Sequence, residues 1–162
     1  MNLIYILSGI CIALLIATVL ILLFTGGSSE PKAFTPPPFD ETAKQGTPTV
    51  PAGMGWSEIY KEGMSFRANL CGEIRIRDGK AKVYFTSPES NTLWLKLRVV
   101  NAKGEILAES GLIRPGEYLE EIAFDPIPQH NERITLRIMS YQPETYYSGG
   151  AASLNTVAQL ED

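Results

Sequence analysis

The sequence predicts an all-β domain, an immunoglobulin-like antiparallel β-sandwich of about seven strands, preceded by one N-terminal transmembrane helix. Two observations predict the sandwich: apolar and polar residues alternate in the C-terminal two thirds of the chain, and turn sequences interrupt this alternation about every 8–12 residues. The helix is predicted because residues 3–24 contain no charged side chain. The chain therefore divides into an anchor at 1–24, a linker at 25–55, a short helix at 56–64 and a sandwich at 65–162.

Residues 3–24 are long and apolar enough to span a bilayer. At a rise of about 1.5 Å per residue, these 22 residues form a helix of roughly 33 Å, and a hydrocarbon core is about 30 Å thick. Fifteen of them are Leu, Ile, Val or Phe. A cleaved signal peptide is the alternative, but its apolar run is usually about 7–15 residues long and follows a basic residue, which is missing here. We expect an uncleaved, single-pass anchor in the cell membrane.

Two further features concern the neighbours and the orientation of the anchor. Gly9, Ala13 and Ala17 are spaced by four residues and form a face of small side chains, through which two helices can pack closely. Homo-association through this face is a hypothesis. Lys32 follows the helix and weakly favours a cytoplasmic C-terminus by the positive-inside rule, although an acidic domain of this length can also be translocated.

The segments between the anchor and the sandwich lack the pattern of a strand. Residues 25–55 contain six prolines and five glycines, a composition that prevents a packed core, so we predict a flexible linker that is extended at its proline run. Four apolar residues then recur at helical spacing, namely Trp56, Ile59, Tyr60 and Met64. This spacing predicts one or two helical turns that cover the end of the sheet.

After Met64 the hydrophobic period becomes two residues, which is typical of strands with one buried face. Leu97, for example, falls on a buried face and Lys96 on the exposed one. Turn sequences separate the alternating segments. The predicted strands are 66–76, 81–87, 93–100, 105–109, 117–124, 132–141 and 151–160. The last segment also suits a helix, because its larger apolar residues recur at every third position.

Composition and motifs argue against catalysis and against nucleic-acid binding. The formal net charge is −4 and the isoelectric point is near 5.1, so no basic surface for nucleic acid is expected. The only histidine is His130, in a turn sequence, and no His/Cys spacing suits zinc. Glu120 and Glu121 are adjacent, and adjacent strand residues point to opposite faces, so they do not form a catalytic pair. We expect no enzymatic activity, no metal and no cofactor.

Three short motifs carry a resemblance to a group of known proteins. They are Glu62-Gly63-Met64, the heptad SGLIRPG at residues 110–116, and Tyr141-Gln142-Pro143-Glu144-Thr145 followed by Gly150-Ala151-Ala152. Over residues 56–152 the chain resembles small membrane-anchored proteins of Firmicutes, in which a transmembrane helix precedes a β-sandwich with the motif SGLI-[KR]-PG. Gln142 departs from the Asp expected there, and a basic residue before the anchor is missing. The resemblance implies this architecture and an extracellular domain, and it implies no activity.

The SGLIRPG heptad has a structural interpretation as well. Gly111 allows a sharp bend, and Leu112 and Ile113 can fill one end of the core. Pro115-Gly116 fits the central positions of a type II turn, the second of which requires a positive φ.

The binding surface predicted from the sequence is aromatic and basic. If the second and third predicted strands form a hairpin, its outer face carries Tyr84, Trp94, Lys96 and Arg98. Exposed aromatic rings beside cations are frequent anchors for a protein partner, and they also suit a glycan. The alternative is that a loop or a helix covers the two rings.

These observations favour a membrane-tethered, outward-facing, non-catalytic interaction module, an accessory of an envelope assembly. One alternative is a structural or adhesive surface subunit, joined edge to edge like a pilin. Another is a cytoplasm-facing tether for a soluble partner. Strand edges distinguish the first two, because a long uncharged edge favours polymerisation and a charged or bulged edge favours a monomeric module. Membrane orientation distinguishes the third.

Overall fold

A computed structural model of the protein describes residues 34–161, in which all regular secondary structure is β. The predicted all-β class is therefore confirmed. No helix in this part of the chain is long and apolar enough to cross a membrane. The predicted anchor lies outside the described residues. The strands are Lys44–Gln45 (β1), Trp56–Ile59 (β2), Ala68–Cys71 (β3), Ile74–Arg77 (β4), Lys80–Thr86 (β5), Trp94–Asn101 (β6), Ile106–Glu109 (β7), Glu117–Ala123 (β8), Glu132–Tyr141 (β9) and Ser148–Leu160 (β10).

Hydrogen bonds join the ten strands into one curled sheet. The path runs β1-β8-β5-β4-β10-β9-β6-β7, and β3 branches from it at β5 and carries β2 on its other side. β4 and β10 are parallel, and the other strand pairs are antiparallel. The sequence therefore predicts the all-β class correctly. The structure differs from the predicted immunoglobulin-like sandwich of about seven strands in the number of its strands and in their connectivity.

The core is formed by one side of this sheet, and the period of two residues predicts its members correctly. On β6, Leu95, Leu97 and Val99 are fully buried, and on β9, Leu136 and Ile138 are fully buried. These side chains belong to one hydrophobic cluster to which β3, β4, β5, β8 and β10 also contribute. Because apolar area removed from water is the main stabilising contribution, the cluster explains why these segments form strands rather than loops.

Most predicted strands occur close to their expected positions, with two refinements. The segment 66–76 is divided into β3 and β4, because residues 72–73 leave the ladder with β5. The C-terminal segment is a strand, β10, which pairs with β9 over most of its length. This pairing satisfies the main-chain groups on one side of β10, and Ala158 is buried, so the spacing of three residues does not produce a helix.

The short helix predicted at 56–64 is not formed. Residues 56–59 are β2, paired with β3, and a hydrogen bond of 3.0 Å from Met64 N to Lys61 O closes the following turn. The indole of Trp56 donates to the carbonyl oxygen of Tyr84 at 3.1 Å. A segment this short gains little from local helical hydrogen bonds, so pairing with a neighbouring strand determines its conformation.

Residues 36–46, which belong to the predicted linker, form part of the sheet, and we call them the N-terminal strap. Leu112 N donates to Pro38 O at 2.8 Å, and Asp40 N donates to Leu112 O at 2.9 Å. Further along, β1 pairs with β8. The prediction of a linker over 25–55 is therefore wrong for the strap. The prolines and glycines of the strap do not form a core among themselves. The strap instead packs against the SGLIRPG heptad, whose Leu112 and Ile113 are buried.

Candidate functional site

The structure separates Tyr84 from the other residues of the predicted binding surface. β5 pairs with β3, β4 and β8, whereas β6 pairs with β7 and β9, so the expected hairpin does not exist. Tyr84 lies at a bulge of β5 with a φ of 43°, and its side chain is only 9% exposed. Tyr84 is therefore largely buried at the edge of the core and does not share an exposed face with Trp94. The predicted helix-association residues Gly9, Ala13 and Ala17 lie outside the described residues.

Lys96 and Arg98 lie on the outer side of β6, as predicted, but both are already paired. Lys96 Nζ is 2.5 Å from Glu109 Oε1, and Arg98 Nε donates to the other oxygen of the same carboxylate. Burial alone would raise the pKa of Glu109, but the hydrogen bonds from Lys96 and Arg98 outweigh it and hold that pKa below its ordinary value. Lys96 is 6% exposed, so the expectation of an exposed lysine is wrong.

Trp94 belongs to a row of aromatic side chains, in edge-on and tilted contact, at one end of the sheet. Its ring centroid is 4.8 Å from that of Phe39 in the strap and 5.3 Å from that of Tyr146. The guanidinium of Arg114 lies 3.6 Å from the centre of the Phe39 ring. Such contacts each stabilise a structure by roughly 0.5–1.5 kcal/mol beyond the burial of apolar area. Arg114 is in the SGLIRPG heptad and Tyr146 directly follows the Tyr141–Thr145 motif, so two distant motifs meet in this aromatic row.

The loop between β9 and β10 reaches the aromatic row in a strained conformation. Glu144 and Tyr146 have φ values of 66° and 58°, in the left-handed region that residues other than glycine rarely adopt. A hydrogen bond of 2.8 Å from Gln142 N to Tyr147 O closes the loop. Tyr147 next to the row is 74% exposed. Strained backbone of this kind occurs preferentially at binding and catalytic sites.

Two arginines on β9 form a candidate binding feature that sequence reasoning missed. Arg133 and Arg137 point to the outer side of the sheet, and both are exposed. No hydrogen bond or ion pair joins either side chain to another residue in the range 34–161. Arg137 lies directly opposite Arg98 on β6 and Ser153 on β10. The alternation of apolar and polar residues could have identified these arginines, because they occupy the polar positions of the predicted strand 132–141.

We call the outer side of β6, β9 and β10 the β9 face. These strands and β7 carry four basic side chains, Lys96, Arg98, Arg133 and Arg137, and two acidic ones, Glu109 and Glu132. The β9 face is thus positive in a chain whose net charge is −4. Like charges directly opposite on neighbouring strands destabilise a sheet, and here the contact of Arg98 with Glu109 offsets part of the repulsion between Arg98 and Arg137.

A shallow cleft of about 550 Å³ lies on the β9 face. Arg133, Thr135, Asn155, Val157 and Ala102 contribute to its lining, which combines a free cation with polar and apolar groups. Thr135 Oγ1 donates to Asn155 Oδ1 at 2.9 Å, which orients the amide nitrogen of Asn155 as a further donor. Binding sites for small groups usually have volumes of about 300–1,000 Å³, so this cleft can accept a side chain or a sugar ring.

A second basic region, on β4 and β5, differs from the β9 face because its cations are neutralised. Arg75 and Arg77 contact Glu161, and Lys80 and Lys82 contact Glu121. Hydrogen bonds from Lys44 and Lys82 lower the pKa of Glu120 to about 2. Each cation in this region therefore has a carboxylate partner, and the region offers little attraction to an external anion.

Cys71 carries the one free thiol among the described residues, and its surroundings make it unreactive. Cys71 is fully buried, and desolvation raises its pKa to about 11, so it remains protonated at neutral pH. Between residues 34 and 161 no three His, Cys, Asp or Glu side chains are grouped as a metal site requires.

Comparison with known proteins yields no family for this chain. No protein-family model matches it, and no curated protein and no solved structure matches it significantly.

Proposed function

We propose that this protein is a non-catalytic interaction module, anchored in the cell membrane by residues 3–24, whose outward β domain binds an acidic protein partner through the β9 face. The observation that carries the proposal is the pair of exposed arginines, Arg133 and Arg137, which have no ion-pair partner among residues 34–161. Most other basic side chains of the sheet contact a carboxylate of the same chain. Unpaired arginines that remain on one face are available to an external carboxylate.

The chemistry of arginine supports a protein partner. A guanidinium binds a carboxylate through two parallel hydrogen bonds, and arginine is enriched among residues that dominate the affinity of protein interfaces. The apolar Val157 and the Thr135–Asn155 pair lie beside Arg133 in the cleft, so an acidic residue flanked by a small apolar group fits this surface. An anionic glycan offers similar groups and is the alternative ligand.

The test compares two variants that each remove two positive charges. In Arg133→Gln/Arg137→Gln the β9 face loses its free cations, whereas Arg77→Gln/Lys80→Gln loses two exposed and internally paired cations of β4 and β5. The full-length chain is used to isolate partners from native membranes after mild cross-linking. We expect the first variant to recover at least tenfold less of its partners and the second to behave like the wild type.

Equal recovery by all three proteins, with unchanged circular dichroism, would contradict the proposal. Partners that are released by a glycosidase rather than by a protease would favour the glycan. An edge-to-edge polymer is the second candidate function, and the ends of the strand path argue against it. β1 has two residues, and β7 has four and pairs with β6 through a bulge, so neither end is a long template for another chain.

A further inference from the structure

One stretch of β10 has main-chain groups that no other strand satisfies. β10 pairs with β9 on one side over most of its length, but on the other side only Ala158–Leu160 pair, with β4. Ser65 Oγ donates to Gly149 O at one end of the gap, and Thr156 Oγ1 donates to Gly72 O at the other. Between these two contacts, in the described part of the chain, residues 150–155 have no ladder partner on that side. We call residues 150–155 the open edge.

The open edge has the length and the character of a pairing site. Six residues span about 20 Å, and alternate residues of a strand direct their N–H and C=O groups to each side. None of the six is buried, and none is charged. Three other strands with an unpaired side in the described range carry carboxylates, which discourage pairing: β2 has Glu58, β7 has Glu109, and β8 has Glu120 and Glu121. β1 carries none, but it is only two residues long.

We propose that the open edge pairs antiparallel with the open edge of a second copy of this chain, which produces a two-fold symmetric dimer with one continuous sheet. A second copy is the occupant that the charges favour. β10 contains no charged residue, so its self-pairing brings no like charges together, whereas pairing through β2, β7 or β8 of two copies would bring carboxylates together. Because both copies use the same edge, the contact is isologous, so it closes as a dimer and does not continue into a fibre.

The proposed dimer has a consequence for the β9 face. A two-fold axis perpendicular to the sheet leaves the outer sides of both copies on the same side of the joined sheet. The free arginines of two chains then form one extended positive surface, and a partner with two acidic segments is bound with higher avidity than by a single chain.

Disulfide trapping in the full-length chain tests the pairing directly. The variants are Ala151→Cys, Ser153→Cys and Asn155→Cys, alone and in pairs, in a chain with Cys11→Ser. Cys71 stays in place because it is buried and its thiol is protonated. Cα atoms opposite each other in antiparallel strands are about 4.5–5.5 Å apart, within the range of about 4.4–6.8 Å that a disulfide requires. We expect mild oxidation in membranes to give a covalent dimer in at least one open-edge variant and none in the control Ser57→Cys on β2.

Co-isolation of two differently tagged full-length copies gives an independent readout. Ala151→Lys/Ser153→Lys places like charges along the open edge and should lower co-isolation at least tenfold, whereas Thr47→Lys/Thr49→Lys, at exposed positions outside the strands, should leave it unchanged. Gly9→Leu/Ala13→Leu tests association through the anchor. A monomeric wild type, cross-linking of Ser57→Cys at the same yield, or co-isolation that is lost only in the anchor variant would each overturn the proposal. A cross-link from the open edge to a different protein would do the same. An intact dimer together with unchanged partner recovery by Arg133→Gln/Arg137→Gln would refute only the proposed function.

Discussion

Gly111 shows at the scale of a single residue why the SGLIRPG heptad contains a glycine. A Cβ atom at this position would lie 2.5 Å from the nitrogen and 2.6 Å from the Cα of Asp40, much closer than real Cβ contacts. The strap crosses directly above Gly111, and Asp40 Oδ2 accepts a hydrogen bond of 2.9 Å from its N–H. The expected sharp bend is therefore a less complete explanation than the close approach of a second backbone segment.

We predict that Gly111→Ala lowers the free energy of unfolding by about 1–3 kcal/mol, because the strap must move to accommodate the methyl group. Denaturant unfolding of the full chain, followed by circular dichroism, measures the change. Gly72→Ala is the matched control, since the nearest atom to its added Cβ is a flexible side-chain carbon at 3.5 Å. An equal effect of both substitutions would mean that a general consequence of replacing glycine, and not the contact with the strap, lowers the free energy of unfolding.

The heptad also contains a feature that the sequence predicts correctly. Gly116 has a φ of 80°, and Glu117 N donates to Arg114 O at 3.1 Å, as a type II turn at Pro115-Gly116 requires. A turn depends on the residues within it, so it can be predicted from the sequence. The pairing of Lys96 with Glu109 cannot be predicted in this way, because it depends on which strand lies beside β6.

At the scale of elements, an ion-pair cluster helps to hold the strap on the sheet. Glu120 on β8 accepts hydrogen bonds from Lys44 on β1 and from Lys82 on β5, and these bonds lower its pKa from 4.5 to about 2. A carboxyl group whose pKa is lower in the folded protein stabilises the fold above its unfolded-state pKa. That contribution disappears as the pH falls from about 4.5 to about 2.

We predict that Glu120→Gln removes this contribution. Solvent screening limits it to at most about 1 kcal/mol at neutral pH, because the cluster is at the surface. Unfolding curves at pH 7 and pH 3 should show a smaller difference between the two pH values in Glu120→Gln than in the wild type. Glu41→Gln, at an exposed position of the strap, should retain the wild-type difference. A variant with an undiminished pH dependence would show that Glu120 does not fix β1.

The elements that the sequence predicts are those with a regular hydrophobic period. β6 and β9 each present alternate residues to the core, so their positions follow from the pattern alone. The strap has no such period, and its proline-rich composition is typical of a linker. Its docking depends on a few specific contacts, above all those of Phe39 with Trp94 and Arg114. The hydrophobic period also does not show whether consecutive strands pair with each other, which is why the prediction of a hairpin of β5 and β6 is wrong.

The same limit applies to the candidate site. Trp94 and the free arginines of β9 could be found from alternation, because their positions on the outer side of the strands follow from the register. Within the described part of the chain, Arg133 and Arg137 lack a carboxylate partner while Lys96 and Arg98 have one. This difference depends on the order β9-β6-β7, which brings Glu109 next to β6. Long-range strand order is set by the packing of the whole core, and a local pattern does not contain it.

At the scale of the whole molecule, the strap shortens the segment that connects the predicted anchor to the folded domain. Hydrogen bonds incorporate residues from Pro38 onward into the sheet, so only residues 25–35 of the predicted linker 25–55 precede the strap. Lys32 is the only basic residue in this shorter segment. Lys44, the next one along the chain, is in β1, and its side chain is 2.5 Å from Glu120 Oε2.

We therefore predict a single early cleavage when trypsin is added to intact cells that carry the full-length protein. If the domain faces outward, cleavage after Lys32 releases a fragment that begins at Ala33, because trypsin requires an accessible basic residue and paired strand segments resist proteolysis. Mass spectrometry of the supernatant identifies the first residue of the fragment. Lys32→Gln should delay release strongly, whereas Lys44→Gln should not. Protection of the wild-type domain on intact cells, together with its release after the cells are opened, would place the domain in the cytoplasm and favour the tether for a soluble partner.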